Sequence, residues 1–319
     1  MRNVRIFHLD AFAERLFAGN PAAVCLMDAW LPVPVMQAIA AENRLSETAF
    51  LVPEDPGGFG TGDGAAAGPF HLRWFTPTTE MPMCGHATLA AAHVVLSRLA
   101  PEAPAVVFRT RGGLLHVARD PEADDRLCLS LPRERLTGIE PRPALLRAIT
   151  AALGGVVPAA VLEGRHDWYV LVEDPAEVEV IRPDAAAISA LPPRAVAVAS
   201  LADGASLADG ADYVCRFFAP KLGVPEDPVT GIVHAGLAPL FADMLARDRL
   251  DGLQLSPRRG RVTVMPRPDH IVLTGRVVEY SEGRLVLNRL DVERTTAAAL
   301  AVGRLPLTLA AGAGLRARG

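Results

Sequence analysis

Glu47 is a residue whose type and position could support proton transfer. It precedes residues 50–52, an apolar Phe-Leu-Val run that is typical of a strand buried on both faces. A carboxyl group at the entrance of such a strand is partly removed from water. Desolvation raises its pKa toward neutrality, so that the group can both take and return a proton. The alternative, a solvated glutamate at a strand end, stays open from these residues alone.

Two glycines stand where apolar helices are expected to begin, in Cys84-Gly85-His86 and in Thr230-Gly231-Ile232. The first turn of a helix has unpaired N–H groups and the positive end of the helix dipole. Glycine also lets the backbone come close to a ligand. Two such helix starts facing one another would bind a carboxylate without any lysine or arginine. The alternative is that both glycines only begin helices.

Three further side chains near these helix starts could do chemistry. His86 could bond to a substrate or transfer a proton, or could be an ordinary histidine at a helix start. Asp227 could be a second acid or the cap of the helix that follows it. Cys84 could be a nucleophile or a racemase base if the helix start stabilised its thiolate. Its counterpart is Thr230, so a symmetric mechanism with two thiols is excluded.

The elements around these residues occur twice along the chain. Arg73-Trp-Phe-Thr-Pro77 corresponds to Arg216-Phe-Phe-Ala-Pro220, and Cys84-Gly-His-Ala-Thr-Leu-Ala-Ala-Ala92 corresponds to Thr230-Gly-Ile-Val-His-Ala-Gly-Leu-Ala238. A repeat this long indicates a duplicated domain rather than a solenoid unit. A cleft between two such lobes is where a small ligand usually binds.

The repeat predicts two similar α/β lobes, at 1–118 and 119–287, followed by an extension of unknown structure at 288–319. Each long helix is apolar nearly all round, so it must be wrapped on several sides by sheet. The local patterns of the first lobe predict strands at 2–12, 22–27, 45–52 and 70–75, helices at 34–43 and 85–99, and an exposed loop at 53–69.

Composition excludes several classes of protein. Half of the 319 residues are apolar and 21% are charged, with a net charge of −4 and no clustered basic face, so nucleic-acid binding is not expected. The apolar stretches are far shorter than the roughly 20 residues that a bilayer requires. Four unpaired cysteines indicate a reducing cytoplasm. Phosphate-loop, dinucleotide and metalloprotease motifs are absent from the sequence, so we expect neither a cofactor nor a metal.

Five ordered motifs carry a resemblance to a known family. They are Gly19-Asn-Pro-Ala-Ala-Val24, Leu45-Ser-Glu-Thr-Ala-Phe50, Trp74-Phe-Thr-Pro77 with Glu80, Cys84-Gly-His-Ala-Thr-Leu-Ala90 and Asp227-Pro-Val-Thr-Gly231. Together they closely resemble the phenazine-biosynthesis PhzF-like family. The resemblance extends to Gly275-Arg-Val-Val-Glu-Tyr-Ser-Glu-Gly283, which is nearly the whole chain except the tail.

The resemblance implies a fold like that of diaminopimelate epimerase, with two pseudo-symmetric lobes, each a curled, mostly antiparallel sheet around a central helix. It implies an isomerase that works as a homodimer without metal or cofactor and shifts a proton on a small unsaturated or cyclic carboxylate, similar to dihydro-hydroxyanthranilate isomerase. The implied catalytic residues are Glu47, His86 and Asp227. The implied substrate-binding residues are Asn20, Ser46, Gly85, Gly231 and Ile232.

One residue departs from the family pattern. Ile232 stands where the family usually has serine, so the backbone N–H is kept but a hydroxyl donor is lost. A site without that donor discriminates differently between substrates. The expected substrate is therefore not the phenazine precursor. Two alternatives stay open: an amino-acid epimerase or racemase that uses Cys84, and a non-catalytic binding protein.

Overall fold

The computed structural model describes residues 2–55, 66–202 and 209–301 of the chain. Its strands are β1 (Arg2–Ala11), β2 (Asn20–Met27), β3 (Glu47–Pro53), β4 (Ala67–Phe75), β5 (Glu80–Met81), β6 (Ala105–Thr110), β7 (Gly113–Asp120), β8 (Ala123–Pro132), β9 (Thr137–Ile139), β10 (Ala160–Glu163), β11 (Trp168–Leu171), β12 (Val196–Leu201), β13 (Tyr213–Ala219), β14 (Val224–Asp227), β15 (Leu250–Gln254), β16 (Gly260–Pro266) and β17 (His270–Leu287).

The α-helices are α1 (Val33–Asn43), α2 (Gly85–Val94), α3 (Pro143–Ala152), α4 (Pro175–Val180), α5 (Ala185–Ala190), α6 (Gly231–Leu245) and α7 (Arg289–Ala301). A π-helical turn, Val95–Leu99, continues α2, and a 3₁₀ turn, Pro220–Leu222, follows β13. Within the described ranges, every helix is too short or too polar to cross a lipid bilayer.

The order of strand pairings is the same in the two halves of the chain. In the first half, β2 is parallel to β3, β3 antiparallel to β4, β4 parallel to β6, and β6 antiparallel to β7. In the second half, β11, β12, β13, β15 and β16 repeat these four pairings in the same order and direction. The duplication predicted from the sequence is therefore present in the backbone.

Each copy closes into a barrel-like sheet through a strand that it shares with the other. The first part of β17 pairs with β8 and with β16, and its last part pairs with β1. Because β1 also pairs with β2, the first sheet returns on itself. The second closes in the same way, because β9 follows β8 and pairs with β10. The two sheets are therefore joined along β8 and β17.

One long apolar helix fills each sheet. α2 and α6 each follow the short strand of their copy, β5 or β14, and most of their side chains are buried. Residues of both helices belong to one continuous apolar cluster together with strands from both copies. This agrees with the expectation that helices apolar on all sides are wrapped by sheet.

A partly buried ion pair also occurs in both copies. Arg73 donates two hydrogen bonds to Glu80, at 2.7 and 2.8 Å. Arg216 donates two to Glu226, at 2.7 and 2.9 Å. Each pair ties the strand before the central helix to the short strand that leads into it. Each bidentate guanidinium–carboxylate pair holds the two strands in a fixed relative position.

Local differences from the sequence-based expectations have simple causes. β4 begins at Ala67, inside the predicted loop, because its pairing with β6 already starts at that residue. The pairing shifts register between Ala67 and Phe70 and then continues. Residues 56–65 of that loop lie outside the described residues. The helix predicted at 85–99 is α-helical only to Val94. The extension at 288–319 contains α7, whose Val292 packs against the α1 cluster, and its residues 302–319 lie outside the described part.

The predicted lobe boundary at 118/119 stays a prediction. β8 follows that boundary in sequence, but it pairs with β7 of the first copy and with β17. The two copies therefore share strands at the place where the division was expected.

Arg216→Met should destabilise the fold by about 3–5 kcal/mol, measured as the free energy of unfolding in urea. The change leaves the Glu226 carboxylate without its partner, and it removes a hydrogen bond of 2.9 Å to the carbonyl of Ile181. Arg289→Met is the control, since Arg289 pairs with Glu293 on an exposed helix face and should leave stability nearly unchanged. Equal stability of the two variants would contradict this account.

Candidate active site

Glu47 is the first residue of β3 and points toward the helix starts. Its side chain is 14% exposed, and its strand continues into fully buried residues. Burial, and then the negative charge of Asp227, raise the pKa of the Glu47 carboxyl to about 8. A hydrogen bond with Cys84 opposes this increase only in part. At neutral pH most of this carboxyl is protonated, and it can exchange its proton at little cost.

His86 lies beside Glu47 in the first turn of α2. Its Nε2 is 3.2 Å from Glu47 Oε2, and its Nδ1 is 3.2 Å from Asn20 Nδ2 and 3.5 Å from Cys84 Sγ. Burial lowers the pKa of His86 to about 3, so the imidazole is neutral. Since the Cys84 thiol can donate to Nδ1, and the Asn20 amide nitrogen beside it accepts no hydrogen bond, we assign the proton to Nε2, toward Glu47. A neutral imidazole in this state can donate a proton or a hydrogen bond on the Glu47 side.

Asp227 ends β14 on the opposite side of the site. Its Oδ1 accepts a hydrogen bond from Asn20 Nδ2 at 2.8 Å, and its Oδ2 accepts one from the Thr230 hydroxyl at 2.5 Å. Burial raises the pKa of Asp227 to about 6, and these two hydrogen bonds limit the increase. Asp227 is therefore mostly ionised at neutral pH, when Glu47 is mostly protonated. Carboxyl groups separated in pKa can serve different roles.

Asn20 connects the two sides. Its side-chain Nδ2 also donates to the carbonyl of Val229 at 2.9 Å, and its Oδ1 accepts from the Ser46 hydroxyl at 3.0 Å. Asn20 is fully buried. Neither Asn20 nor Ser46 is among the residues that line the cleft. Their predicted contact with substrate stays a prediction, whereas their hydrogen bonds position the neighbours of Glu47 and Asp227.

The two glycines at the helix starts lie close together. A methyl group added to Gly85 would lie 3.6 Å from Leu131 Cδ1, and one added to Gly231 would lie 3.3 Å from the same atom. Neither N-cap residue, Cys84 or Thr230, makes a side-chain hydrogen bond to its helix. Both helix starts therefore keep backbone N–H groups for an anion.

A cleft of about 930 Å³ opens onto the two helix starts, His86 and Asp227. Glu47 is not among the residues that line the cleft, but its carboxyl contacts His86, which is. One wall includes Cys84, Gly85 and His86, and the other includes Asp227 and residues 230–232. The cleft thus receives residues from both copies, as a cleft between duplicated lobes was expected to do. Ile232 presents an apolar side chain to it, which agrees with the loss of a hydroxyl donor noted in the sequence.

Two positioning residues were not anticipated from the sequence. Gln254 is fully buried, accepts from Thr230 N at 2.9 Å and donates to Asp227 O at 2.7 Å. Arg258 donates to Gly19 O at 2.9 Å and to Asp10 Oδ1 at 2.6 Å, which holds the segment before Asn20. The sequence feature that could have identified Gln254 is its position between two leucines in an apolar segment. The sequence carried no comparable signal for Arg258.

One group of side chains could hold a metal ion. The ligand atoms of Glu47, Cys84 and His86 lie within 4.8 Å of one another. All three belong to the site already described.

Comparison with known proteins identifies the family. The sequence profile described as "Phenazine biosynthesis-like protein" matches residues 9–283. The chain belongs to this family. It is also 40% identical, over 88% of its length and 98% of the relative's, to an uncharacterized isomerase of Pseudomonas aeruginosa. The predicted family and the prediction of an isomerase are thereby confirmed.

Solved structures agree with the fold. A phenazine biosynthesis protein of the PhzF family from Enterococcus faecalis is 35% identical and superimposes with a TM-score of 0.78, covering 89% of this chain and 100% of the other. A hydroxyproline epimerase from Agrobacterium vitis, 14% identical, has a TM-score of 0.54 over 92% of this chain and 96% of its own, which shows a shared fold. The predicted pseudo-symmetric, epimerase-like architecture of this phenazine biosynthesis-like protein is confirmed.

The pH dependence of stability should reveal the buried Glu47. The folded protein holds the Glu47 proton more tightly than the unfolded chain, because the pKa rises from 4.5 to about 8 on folding. Ionisation therefore costs nothing below about pH 4.5 and progressively more as the pH rises toward 8. Glu47→Gln removes this cost. The free energy of unfolding of the variant, relative to that of the wild type, should increase by about 4 kcal/mol between pH 4.5 and pH 8, measured by urea unfolding.

Glu102→Gln is the control for that measurement, because Glu102 lies on an exposed turn. Its stability should follow the wild type at every pH. A constant difference between Glu47→Gln and the wild type across this range would mean that Glu47 is not buried.

Proposed function

We propose that this protein is a cofactor-independent isomerase that moves a proton between two carbons of a small unsaturated or cyclic carboxylate. The observation that carries the proposal is the 3.2 Å approach of the buried Glu47 carboxyl to His86, beside two neighbouring helix starts. A group with a pKa near neutrality can act as base and then as acid in one turnover.

The substrate carboxylate would bind at the helix starts. The N–H groups near Gly85 and Gly231 supply donors from both copies, so the negative charge is held between two positive dipole ends. This placement leaves the carbon chain of the substrate pointing toward Glu47.

Glu47 would remove a proton from one carbon in its ionised form and return it to another. His86, neutral and with its proton on the Glu47 side, would stabilise the charge that develops between these steps. Asp227 would hold a polar group of the substrate from the other wall. Ile232 would face an apolar part of the substrate, which supports a substrate other than the phenazine precursor.

A homodimer in the cytoplasm, with no nucleic-acid or membrane partner, stays part of the proposal. The dimer and the compartment are expectations that come with the family resemblance and the reduced cysteines.

Glu47→Gln should reduce proton exchange by about 10²–10⁴-fold while leaving the fold intact, because an amide cannot accept the proton. The assay is incubation of small unsaturated or cyclic carboxylates in D₂O, with deuterium incorporation followed by NMR and mass spectrometry. Cys84→Ser is the matched comparison: proton shift by Glu47 survives this change, whereas epimerisation by a thiol does not. An active Glu47→Gln enzyme would rule out the proposed role.

The rate should rise with pH in two stages. Only the free enzyme with an ionised Glu47 can take the substrate proton. For this reason kcat/KM should increase about tenfold per pH unit up to a plateau near pH 8. Below about pH 6 the decline should steepen, because Asp227 also becomes protonated. Thr230→Val removes a hydrogen bond to the Asp227 carboxylate and should move the lower break to higher pH. A lower break that moves to lower pH would contradict the role of Asp227.

A further inference from the structure

Arginine side chains line the cleft beyond the helix starts. They are Arg133, Arg135 and Arg165, which we term the arginine wall. Arginine stays positively charged at physiological pH, and its planar guanidinium group binds carboxylate or phosphate through two parallel hydrogen bonds. The cleft of about 930 Å³ lies at the upper end of the range for small-molecule sites. A single carboxylate at the helix starts would therefore occupy only part of it.

The carboxylates of the cleft do not pair with the arginine wall. Four arginines and four carboxylates line the cleft, but each carboxylate already accepts a hydrogen bond from another donor. These donors are Arg194 for Asp167, the backbone N–H of Arg165 for Glu134, the indole N–H of Trp168 for Glu163, and Asn20 for Asp227. Over residues 2–55, 66–202 and 209–301, the three guanidinium groups of the wall make neither an ion pair nor a hydrogen bond. Three such cations facing one cleft suit an anionic ligand.

The chain places Arg133 close to both helix starts. Leu131, at the end of β8, has its Cδ1 atom 3.6 Å from a methyl group added to Gly85 and 3.3 Å from one added to Gly231. Two residues of extended chain span at most about 7 Å, so the half-buried Arg133 begins within that distance of Leu131. A ligand of roughly this length, held at one end by the helix starts, would reach the arginine wall with its other end.

The turn that carries Arg165 is fixed in position. Arg194 donates two hydrogen bonds to Asp167 in this turn, at 2.9 and 2.5 Å. The backbone N–H of Arg165 donates to the Glu134 carboxylate, which joins the turn to the segment that carries Arg133. The backbone of the wall is thus preorganised, and preorganisation lowers the cost of ordering a site when a ligand binds.

We propose that the arginine wall is a subsite for a second anionic group, so that the substrate is a carboxylate with a further carboxylate or a phosphate at its far end. That this ligand is the substrate rests on the proposed function, whereas binding of the second anion does not. Apolar side chains of the same cleft, among them Met83, Phe217 and Ile232, would face the carbon body of such a ligand.

Non-reactive probes test the subsite without turnover. The probes are the saturated dicarboxylates from succinate to suberate, each compared with its own monomethyl ester, which has nearly the same length and one charge fewer. Affinity for the full-length protein is measured by calorimetry and by ligand-observed NMR. We expect the best diacid of the series to bind at least about tenfold more tightly than its ester, because hydrogen bonds between charged groups are strong. The ω-phosphono acid of the same length distinguishes the two sources of the anion, since the group that the subsite recognises should give the tighter complex.

Arg133→Gln and Arg165→Gln should each reduce the preference for the diacid to roughly threefold or less, while the affinity for the ester stays within about twofold. Both side chains are at least partly exposed, so these variants should unfold at the same urea concentration as the wild type. Arg147→Gln is the matched control, because Arg147 is an exposed arginine of α3 that does not line the cleft. It loses the same charge and should keep the full preference.

Equal affinity for diacids and esters in the wild type, or a preference that survives both Arg133→Gln and Arg165→Gln, overturns the subsite. Loss of the preference in Arg147→Gln as well would mean that overall charge is responsible, and it overturns the subsite too. A preference that depends on the arginine wall, in a protein that incorporates no deuterium into any carboxylate, counts against the proposed function alone. Deuterium incorporation into monocarboxylates without any preference for diacids counts against the subsite alone.

Discussion

The buried side-chain amide of Asn20 holds the two halves of the site together. It approaches His86 in the first copy and donates to Asp227 and to the Val229 carbonyl in the second. With no exposed surface, it cannot exchange these partners for water without opening the core. The Asn20 amide therefore sets the distance between the Glu47–His86 pair and Asp227. Since electrostatic coupling depends on distance, the same amide also sets the coupling between the two carboxyl groups.

The segment that carries Asn20 is itself clamped by the second copy. Gly19 has a φ of +63°, and a methyl group there would lie 2.2 Å from the carbonyl of Ala11, so only glycine fits this turn. Arg258 bonds to the Gly19 carbonyl and to Asp10, and the N–H of Gly19 donates to the Arg259 carbonyl at 2.6 Å. The rigid placement of one asparagine thus depends on contacts between segments far apart in sequence.

Sequence patterns predicted the parts of the structure that depend on local chemistry. The buried position of Glu47 follows from the apolar strand after it, and the duplication follows from matching arginines and glycines. Asn20 as a bridge and Gln254 and Arg258 as supports could not be derived this way. Their roles come from strand exchange along β8 and β17, which brings distant segments together without a periodic signal. Motif resemblance placed Asn20 and Ser46 at the site, but only the structure gives their hydrogen-bond partners.

The strand registers show that the two copies differ at the site. Phe50 pairs with Arg73 in the first copy and Val198 with Arg216 in the second, so the counterpart of Glu47, three residues earlier, is Ala195. In the repeated helix-start motif, Ile232 occupies the position that corresponds to His86.

Both copies have a helix that starts at a glycine, whereas Glu47 and His86 occur in the first copy and Asp227 in the second. An epimerase with two bases needs an acceptor on each face of the substrate carbon. Here the face opposite Glu47 offers Thr230, Ile232 and the hydrogen-bonded Asp227. In the proposed mechanism the two helix starts bind the substrate carboxylate, and Glu47 removes and returns the proton on one face. This arrangement supports the proposed movement of a proton along the substrate over inversion at one of its carbons.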